Sequence, residues 1–224
     1  MVEAHAARRV SISGLYALTP EIADTATLTE RVTAAIAGGA SAVQYRHKTA
    51  SAKLKLSQAL ALRELCADRG ATFIVNDDVE LAAAAGADGV HLGRDDGSLG
   101  VARERLGSNA VIGASCYDSL ARAEAAVRAG ADYIAFGSFF PSKVKPRATR
   151  AHTSLLTAAR ARWGVGVVAI GGITPANAGP LLAAGADALA VISALFDLPD
   201  AREVEAAARA FAALFASHRI GHPA

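Results

Sequence analysis

The sequence predicts a single (β/α)8 TIM barrel with parallel strands, and three observations support that fold class. Eight short runs rich in Val, Ile and Ala alternate with longer Ala-rich amphipathic stretches, as in repeated βα units around a parallel sheet. The chain has 224 residues and 52% hydrophobic residues, which suffices for one such barrel. A glycine-containing phrase also recurs between the units. The predicted strands are 14–18, 42–46, 72–75, 89–92, 111–114, 133–136, 167–170 and 188–191, each followed by a helix, the last of which is predicted over about 200–217.

The recurring phrase reads Ala-Gly-Gly-Ala at 37–40 and Ala-Gly-Ala-Asp at 85–88, 129–132 and 184–187. Glycine readily adopts the left-handed conformation that ends a helix before the chain turns into the next strand. The phrase therefore predicts the helix-to-strand turns on the lower face of the barrel. The polar strand endings must then lie on the opposite face, where barrels build their active sites.

The domain organisation is predicted to be simple, with a flexible N-terminal tail at 1–12, the barrel at 13–217 and a C-terminal tail at 218–224. The first residues lack the apolar core of a signal peptide, and no uncharged run reaches the roughly eighteen residues of a membrane span. Cys66 and Cys116 show no Cys-x-x-Cys spacing, which argues against a disulfide framework or a zinc site. We expect a cytoplasmic protein that does not span a membrane.

The charge balance points to a small ligand rather than a nucleic acid. A formal net charge of +2 and an aromatic content of 5% give neither a broad basic surface nor a set of stacking residues. We therefore expect small, anionic partners. The sequence leaves a homo-oligomer open.

The second predicted strand ends with three polar residues at alternating positions, Gln44, Arg46 and Lys48. Alternation turns them to the same side and sets two cations side by side, which favours an anionic ligand. Any one of them alone would read equally well as a solvated strand end. Tyr45 and His47 are predicted to point towards the helical layer.

Carboxylates follow the next two strands. Asn76, Asp77 and Asp78 end the third strand, and Asp95 and Asp96 follow the fourth. One aspartate of the first group is expected to cap the helix that follows, while the second group reads equally well as a polar turn. Together with the nearby cations, these carboxylates suggest a magnesium-bound polyphosphate, because Mg²⁺ takes one or two carboxylates plus phosphate oxygens.

Three later strand endings complete the upper face. Ser115 ends the fifth strand without a histidine nearby in sequence, so binding is favoured over a nucleophilic role. The basic loop at 137–147 is long enough for a lid, although a solvated surface loop fits it as well. The seventh and eighth strands end at Gly171-Gly172 and at Ile192-Ser193, where barrels often bind phosphate through backbone amides.

The order and spacing of these segments resemble the thiamine-phosphate synthase family, transferases that join a pyrimidine to a thiazole. The segments that carry the resemblance are Gln-Tyr-Arg-x-Lys at 44–48, Val-Asn-Asp at 75–77, Gly-Ala-Asp-Gly-Val-His-Leu-Gly at 86–93, the pair at 95–96, Phe-Gly-Ser-Phe-Phe-Pro-Ser at 136–142, Ala-Ile-Gly-Gly-Ile at 169–173 and Val-Ile-Ser at 191–193. The resemblance implies a TIM barrel that condenses 4-amino-2-methyl-5-hydroxymethylpyrimidine diphosphate with thiazole phosphate. Thiamine phosphate and pyrophosphate would form by a dissociative, magnesium-assisted substitution.

The resemblance also implies a role for each matching position. Mg²⁺ is assigned to Asp77 and Asp96. The catalytic residues would be Arg46, Lys48, Ser115 and Lys145, and the pyrimidine diphosphate would be bound by Gln44, Arg46, Lys48, Asn76, Ser115 and Lys145. The thiazole phosphate would be bound by Ser142, Lys143, Val144, Gly172, Ile192 and Ser193.

Three positions depart from the family pattern. His47 stands where glutamate is common and Arg94 where glutamine is common, and both should be tolerated if they point away from the ligands. Val144 replaces a hydroxyl residue in the lid, which removes one side-chain hydrogen bond to the thiazole phosphate. Two alternatives stay open: a thiazole tautomerase-like isomerase, which would use a histidine for proton transfer, and a non-catalytic barrel that binds thiazole or thiamine phosphate.

Overall fold

Eight parallel strands form a closed barrel in which each strand pairs with its neighbours in chain order and the eighth pairs with the first. The structure is a computed structural model that describes residues 12–141 and 149–221. The strands are β1 Gly14–Leu18, β2 Ala40–Tyr45, β3 Thr72–Asn76, β4 Gly89–Leu92, β5 Val111–Tyr117, β6 Tyr133–Phe136, β7 Gly166–Ile170 and β8 Ala188–Val191. The predicted fold class is confirmed.

Helices follow the strands and form the outer layer. Over the described ranges they are α1 Thr25–Ala37, α2 Ala52–Arg69, α3 Val79–Ala85, α4 Leu99–Leu106, α5 Leu120–Arg128, α6 Ser154–Arg162, α7 Gly179–Ala183, α8 Ser193–Phe196 and α9 Ala201–Gly221. The short α8 was not predicted as a separate helix, and α9 continues four residues beyond the predicted end at 217. None of these helices is both long and apolar enough to cross a membrane. The predicted N-terminal tail falls almost entirely outside the described residues, and the domain boundaries stay predictions.

The barrel interior and the layer between sheet and helices are separate apolar cores. Alternate strand residues such as Tyr16, Ile74 and Tyr133 fill the interior, whereas Val43 and Phe73 pack against helices. The interior is tightly fitted around Tyr133. A methyl group on Gly113 of β5 would lie 2.0 Å from the Tyr133 ring, so glycine is needed there.

The recurring glycine phrases lie at the predicted turns. Gly86, Gly130 and Gly185 have φ values of 62°, 88° and 98°, which other residues adopt only with strain. Gly86 caps α3 itself, whereas Gly130 and Gly185 follow the alanine that caps α5 and α7, and at each glycine the chain turns towards the next strand.

The aspartate of each Ala-Gly-Ala-Asp phrase has a structural role that the sequence did not reveal. Asp88, Asp132 and Asp187 each accept a hydrogen bond from the backbone of the preceding strand, at 2.7, 2.8 and 2.9 Å. Each also pairs with an arginine of the helix that comes before that strand; these partners are Arg63 of α2, Arg103 of α4 and Arg160 of α6, in the same order. The repeat thus links strand, helix and turn three times around the bottom of the barrel.

Candidate active site

Two adjoining cavities open at the carboxyl-terminal rim of the strands. One, of about 430 Å³, is lined by residues that include Gln44, Arg46 and Ser115. The other, of about 490 Å³, contains Lys48 and the two aspartates Asp77 and Asp96. Asn76, at the end of β3, lines both cavities. The polar strand endings therefore converge on the predicted face of the barrel.

Asp77 and Asp96 meet although they follow different strands. Both line one cavity at the rim, and burial together with the nearby Asp77 carboxylate raises the pKa of Asp96. The Gly93 N–H donates to Asp96 Oδ2 at 2.8 Å. A methyl group on Gly93 would lie 2.6 Å from that oxygen, so the backbone approach requires glycine. The result is a concentration of negative charge at one point of the rim.

The neighbouring Asp78 has a different task, as the sequence predicted. Its Oδ1 accepts the N–H of Leu81 at 2.9 Å and caps α3. Asp77 precedes it with φ of 66°, a left-handed conformation that aspartate tolerates better than most residues. This turn directs one carboxylate to the helix and the other to the rim.

Both cations lie beyond the end of β2, so strand alternation does not set their positions. The β2 ladder ends at Tyr45, and the Arg46 N–H donates to the Thr19 hydroxyl at 2.9 Å instead of continuing a strand. Arg46 Nη1 lies 3.1 Å from Glu21 Oε1, and Lys48 Nζ lies 3.3 Å from Asp77 Oδ2. Each cation thus has its own carboxylate partner and lines its own cavity.

Glu21, in the loop after β1, was missed by sequence reasoning. The Thr49 hydroxyl donates to its Oε2 at 2.8 Å, and this hydrogen bond lowers the pKa of Glu21, aided by Arg46. Locally, the sequence shows only an acidic residue shortly after the end of a strand, which does not predict a functional role. The contact with Arg46 joins residues 25 positions apart, which no local pattern encodes.

The residues on either side of Arg46 line the cavity that contains the aspartates. The Tyr45 hydroxyl lies in the helical layer, where it donates to Gln58 Oε1 of α2 at 2.9 Å. His47 accepts the Ala50 N–H at 3.2 Å through Nδ1, and its side chain is 7% exposed. Its Nδ1 also lies 3.8 Å from Glu21 Oε2.

Ser115 does contact a histidine, although none is near it in sequence. His91 of β4 lies inside the barrel, with Nε2 2.8 Å from Ser115 Oγ and Nδ1 2.9 Å from the Tyr133 hydroxyl. His91 therefore lines the barrel interior. Strand alternation places His91 on the inner face of β4, and this was the only feature of the sequence that could have predicted its contact with Ser115.

The described residues of the predicted second phosphate site lie in a single cavity. Gly172, Ile192 and Ser193 line the same cavity as Ser115. Gly172 has φ of 64°, and a methyl group on it would lie 2.2 Å from the Pro141 carbonyl oxygen. The glycine turn is therefore packed closely against the start of the long loop. The other candidates, Ser142, Lys143, Val144 and Lys145, lie outside the described residues.

Tyr117 is a further wall residue that the sequence did not single out. It lines the cavity beside Ser115, has φ of 56° and follows a register irregularity in β5. The guanidinium groups of Arg94 and Arg122 lie 5.2 and 5.6 Å from its ring centroid, within cation–π range. Arg94, one of the three departures from the family pattern, therefore contacts the wall of the cavity.

A closed (β/α)8 barrel with carboxylates, cations and a glycine turn at its upper rim has the features of an enzyme for phosphorylated small molecules. Within that class, the chain belongs to the thiamine monophosphate synthase family, whose model matches residues 15–195. That match spans all eight strands except the first residue of β1.

Relatives and solved structures agree with the family. The thiamine-phosphate synthase of Chromobacterium violaceum is 56% identical over 204 residues, covering 91% of this chain and 97% of that protein. The thiamine-phosphate synthase of Thiobacillus denitrificans is 57% identical over 193 residues, covering 86% of this chain and 92% of that protein. The structure of thiamine phosphate pyrophosphorylase from Pyrococcus furiosus superposes with a TM-score of 0.79 at 36% identity, covering 92% of this chain and 96% of that one. The chain is thus an enzyme of a transferase family.

Proposed function

We propose that the protein condenses 4-amino-2-methyl-5-hydroxymethylpyrimidine diphosphate with thiazole phosphate to give thiamine phosphate and pyrophosphate. The observation that carries the proposal is that Asp77 and Asp96 line one cavity at the rim together with Lys48, which pairs with Asp77. Paired carboxylates next to a cation suit a diphosphate that arrives with a divalent ion. Family membership supports the same reaction.

The two aspartates have the chemistry to hold Mg²⁺. Their oxygens are the hard ligands this ion prefers, and burial together with the neighbouring Asp77 carboxylate raises the pKa of Asp96. The described residues contain no group of three or more His, Cys, Asp or Glu side chains suited to a metal. Substrate oxygens and water would therefore complete the coordination. When bound, the ion would neutralise negative charge on the departing pyrophosphate.

Arg46 and Lys48 would bind the diphosphate from two sides. Each pairs with one carboxylate, Arg46 with Glu21 and Lys48 with Asp77. Lys48 is 56% exposed, so it can turn from Asp77 to a phosphate oxygen without leaving solvent. Lys145, outside the described residues, is assigned to the same anion. Charge neutralisation here would favour departure of pyrophosphate.

The chemistry needs no nucleophile from the protein. The bond between the benzylic-like carbon and the diphosphate oxygen breaks, and its electron pair leaves with pyrophosphate. The aminopyrimidine ring delocalises the resulting cation, and the thiazole nitrogen then supplies the pair for the new carbon–nitrogen bond. Gln44, Asn76 and Ser115 would hold the ring in position for this attack.

The thiazole phosphate would sit across the same cavity. The backbone at Gly172 and the start of α8, Ile192 and Ser193, face Ser115 across the space where the two substrates must meet. Backbone N–H groups at glycine turns and helix starts favour phosphate. Ser142, Lys143 and Val144 are assigned to this phosphate from the long loop.

The experiment is a product assay with purified protein, both substrates and MgCl₂. Asp77→Asn should lower kcat by about a hundredfold or more, because it removes charge where the leaving anion is stabilised. Asp95→Asn is the matched control, since Asp95 is exposed and lies outside both cavities. Both variants should unfold at temperatures close to that of the unmodified protein. Full activity in excess chelator, or in Asp77→Asn, would refute the metal assignment.

The isomerase alternative is less well supported. It requires a histidine that transfers a proton, but both ring nitrogens of His91 are hydrogen-bonded to protein groups, Tyr133 and Ser115. Incubation with the thiazole substrate alone tests it, and isomerisation without the pyrimidine would favour it. Formation of thiamine phosphate excludes the non-catalytic barrel.

A further inference from the structure

A chain of hydrogen bonds crosses the barrel interior and connects two residues of the substrate cavity. It begins at Gln44 and ends at Ser115. Its links are Gln44 Nε2 to Tyr16 at 2.7 Å, Tyr16 to Tyr133 at 2.9 Å, Tyr133 to His91 Nδ1 at 2.9 Å and His91 Nε2 to Ser115 Oγ at 2.8 Å. The first four residues are buried, with exposures of 2%, 1%, 0% and 7%. Only Ser115, at the far end, is partly open to the cavity.

The donors along this chain follow from its first link. The Gln44 amide nitrogen has no lone pair to offer, so it donates to Tyr16. Among the described partners, the arrangement that uses both phenol protons has Tyr16 donating to Tyr133 and Tyr133 donating to His91 Nδ1. Burial raises the pKa of both tyrosines, so both keep their protons. His91 then accepts through Nδ1.

A histidine that accepts at Nδ1 must carry its proton on Nε2 when neutral. His91 therefore donates to Ser115 Oγ, and the Ser115 hydroxyl keeps its own proton for a partner in the cavity. We infer that this buried chain fixes Ser115 as a hydrogen-bond donor to the pyrimidine diphosphate, with Tyr133 and His91 as positioning residues. The identity of the ligand rests on the proposed function. The direction of donation along the hydrogen bonds does not depend on it.

The surrounding packing preserves the chain. Tyr133 occupies the space beside Gly113. A methyl group added to Gly113 would lie 2.0 Å from the Tyr133 ring. The rings of His91 and Tyr133 are stacked with centroids 5.4 Å apart, and Tyr16 meets Tyr133 edge-on at 6.0 Å. These contacts restrict rotation of the rings, so the hydroxyl groups and the imidazole stay within hydrogen-bonding distance of one another.

The direction of the chain can be measured without any activity. Long-range ¹H–¹⁵N NMR of labelled protein distinguishes the two histidine tautomers, and the His91 signals are those that His91→Gln removes. We expect the Nε2–H form in the unmodified protein and in Tyr16→Phe, where Tyr133 still donates to His91. Tyr133→Phe removes that donor, so the Nδ1–H form should become populated. An Nδ1–H tautomer in the unmodified protein would overturn the inference whether or not thiamine phosphate is formed.

A double-mutant cycle then tests the link to catalysis. Ser115→Ala should lower kcat/KM about tenfold, as for the loss of one substrate hydrogen bond, and Tyr133→Phe should cause a loss of several-fold. Because Tyr133 acts through Ser115, Tyr133→Phe should change kcat/KM by less than about twofold when Ser115 is already alanine. Independent losses that multiply would contradict the inference, as would an unaffected Ser115→Ala.

Val204→Ala is the stability control for the cycle. It removes two buried methyl groups from α9 in the helical layer, and Val204 lines neither cavity. It should lower the unfolding temperature without changing kcat/KM. An equal activity loss in Val204→Ala and Tyr133→Phe would assign the effect to general stability and refute the positioning role. If Tyr133→Phe does not fold, the tautomer of His91 in the unmodified protein still decides the question.

Discussion

Asp77 and Asp96, which follow β3 and β4, line the same cavity at the rim of the barrel. Asp77 Oδ2 also lies 3.3 Å from Lys48 Nζ. Lys48 offsets one of the two negative charges of the carboxylates. The proposed Mg²⁺ would offset the other.

Mg²⁺ should stabilise the folded protein through this pair. An ion that binds only the folded state adds about 2.7 kcal/mol to the free energy of unfolding when present at a hundred times its Kd. The measurement is the unfolding temperature with and without MgCl₂. Asp96→Asn should lose most of the increase and Asp95→Asn should keep it. An equal increase in both variants would place the ion elsewhere.

The stability of the metal-free protein should depend on pH through Asp96. Burial and Asp77 raise the pKa of this carboxyl in the folded state, so folding favours its protonated form. That contribution is complete below the unfolded pKa, about 4, and is lost as pH rises through the folded value. Asp96→Asn should therefore gain unfolding temperature relative to the unmodified protein between pH 3 and pH 7. A difference that stays constant over this range would contradict the assignment.

Glu21 should orient Arg46 for the diphosphate. Glu21→Ala removes a partly exposed ion pair, which is worth up to about 1 kcal/mol, so the KM for the pyrimidine diphosphate should rise by up to about fivefold. Steady-state kinetics at varied pyrimidine diphosphate measures this, and kcat should change little. Glu124→Ala, which breaks the surface pair with Arg128, is the control and should leave KM unchanged.

Local patterns in the sequence were enough to predict the barrel and some of the residues at its rim. Hydrophobic runs and glycine phrases located all eight strands, and the division between Asp78 as a cap and Asp77 as a rim residue depends on adjacent residues only. Long-range contacts were not predictable in this way. Arg46 lies beyond the end of β2, where its N–H donates to Thr19, 27 positions earlier, and no local pattern encodes this contact.

The aspartates of the lower turns should matter for stability and not for chemistry. The Asp132 side chain is 5% exposed, accepts the Ile112 N–H and pairs with Arg103. Asp132→Ala should lower the free energy of unfolding by about 3 kcal/mol, because it leaves buried partners unpaired. Asp187 has the same role but is 24% exposed, so its replacement by alanine should lower the free energy of unfolding by less. Denaturant unfolding measures both, and the kcat of the folded fraction should be unchanged in each.

Gly172 should be needed for its close contact with the long loop as well as for its backbone conformation. Gly172→Ala places a methyl group 2.2 Å from the Pro141 carbonyl oxygen and must displace that segment beside the proposed thiazole phosphate site. The KM for thiazole phosphate should rise at least about tenfold if one phosphate contact is lost. Gly70→Ala separates the two effects, because Gly70 has φ of 69°, close to the 64° of Gly172, with no described atom within 4 Å of an added methyl. It should show the stability loss of a left-handed alanine, about 1 kcal/mol, with unchanged KM. A similar KM in both variants would mean that the glycine turn does not contribute to the phosphate site.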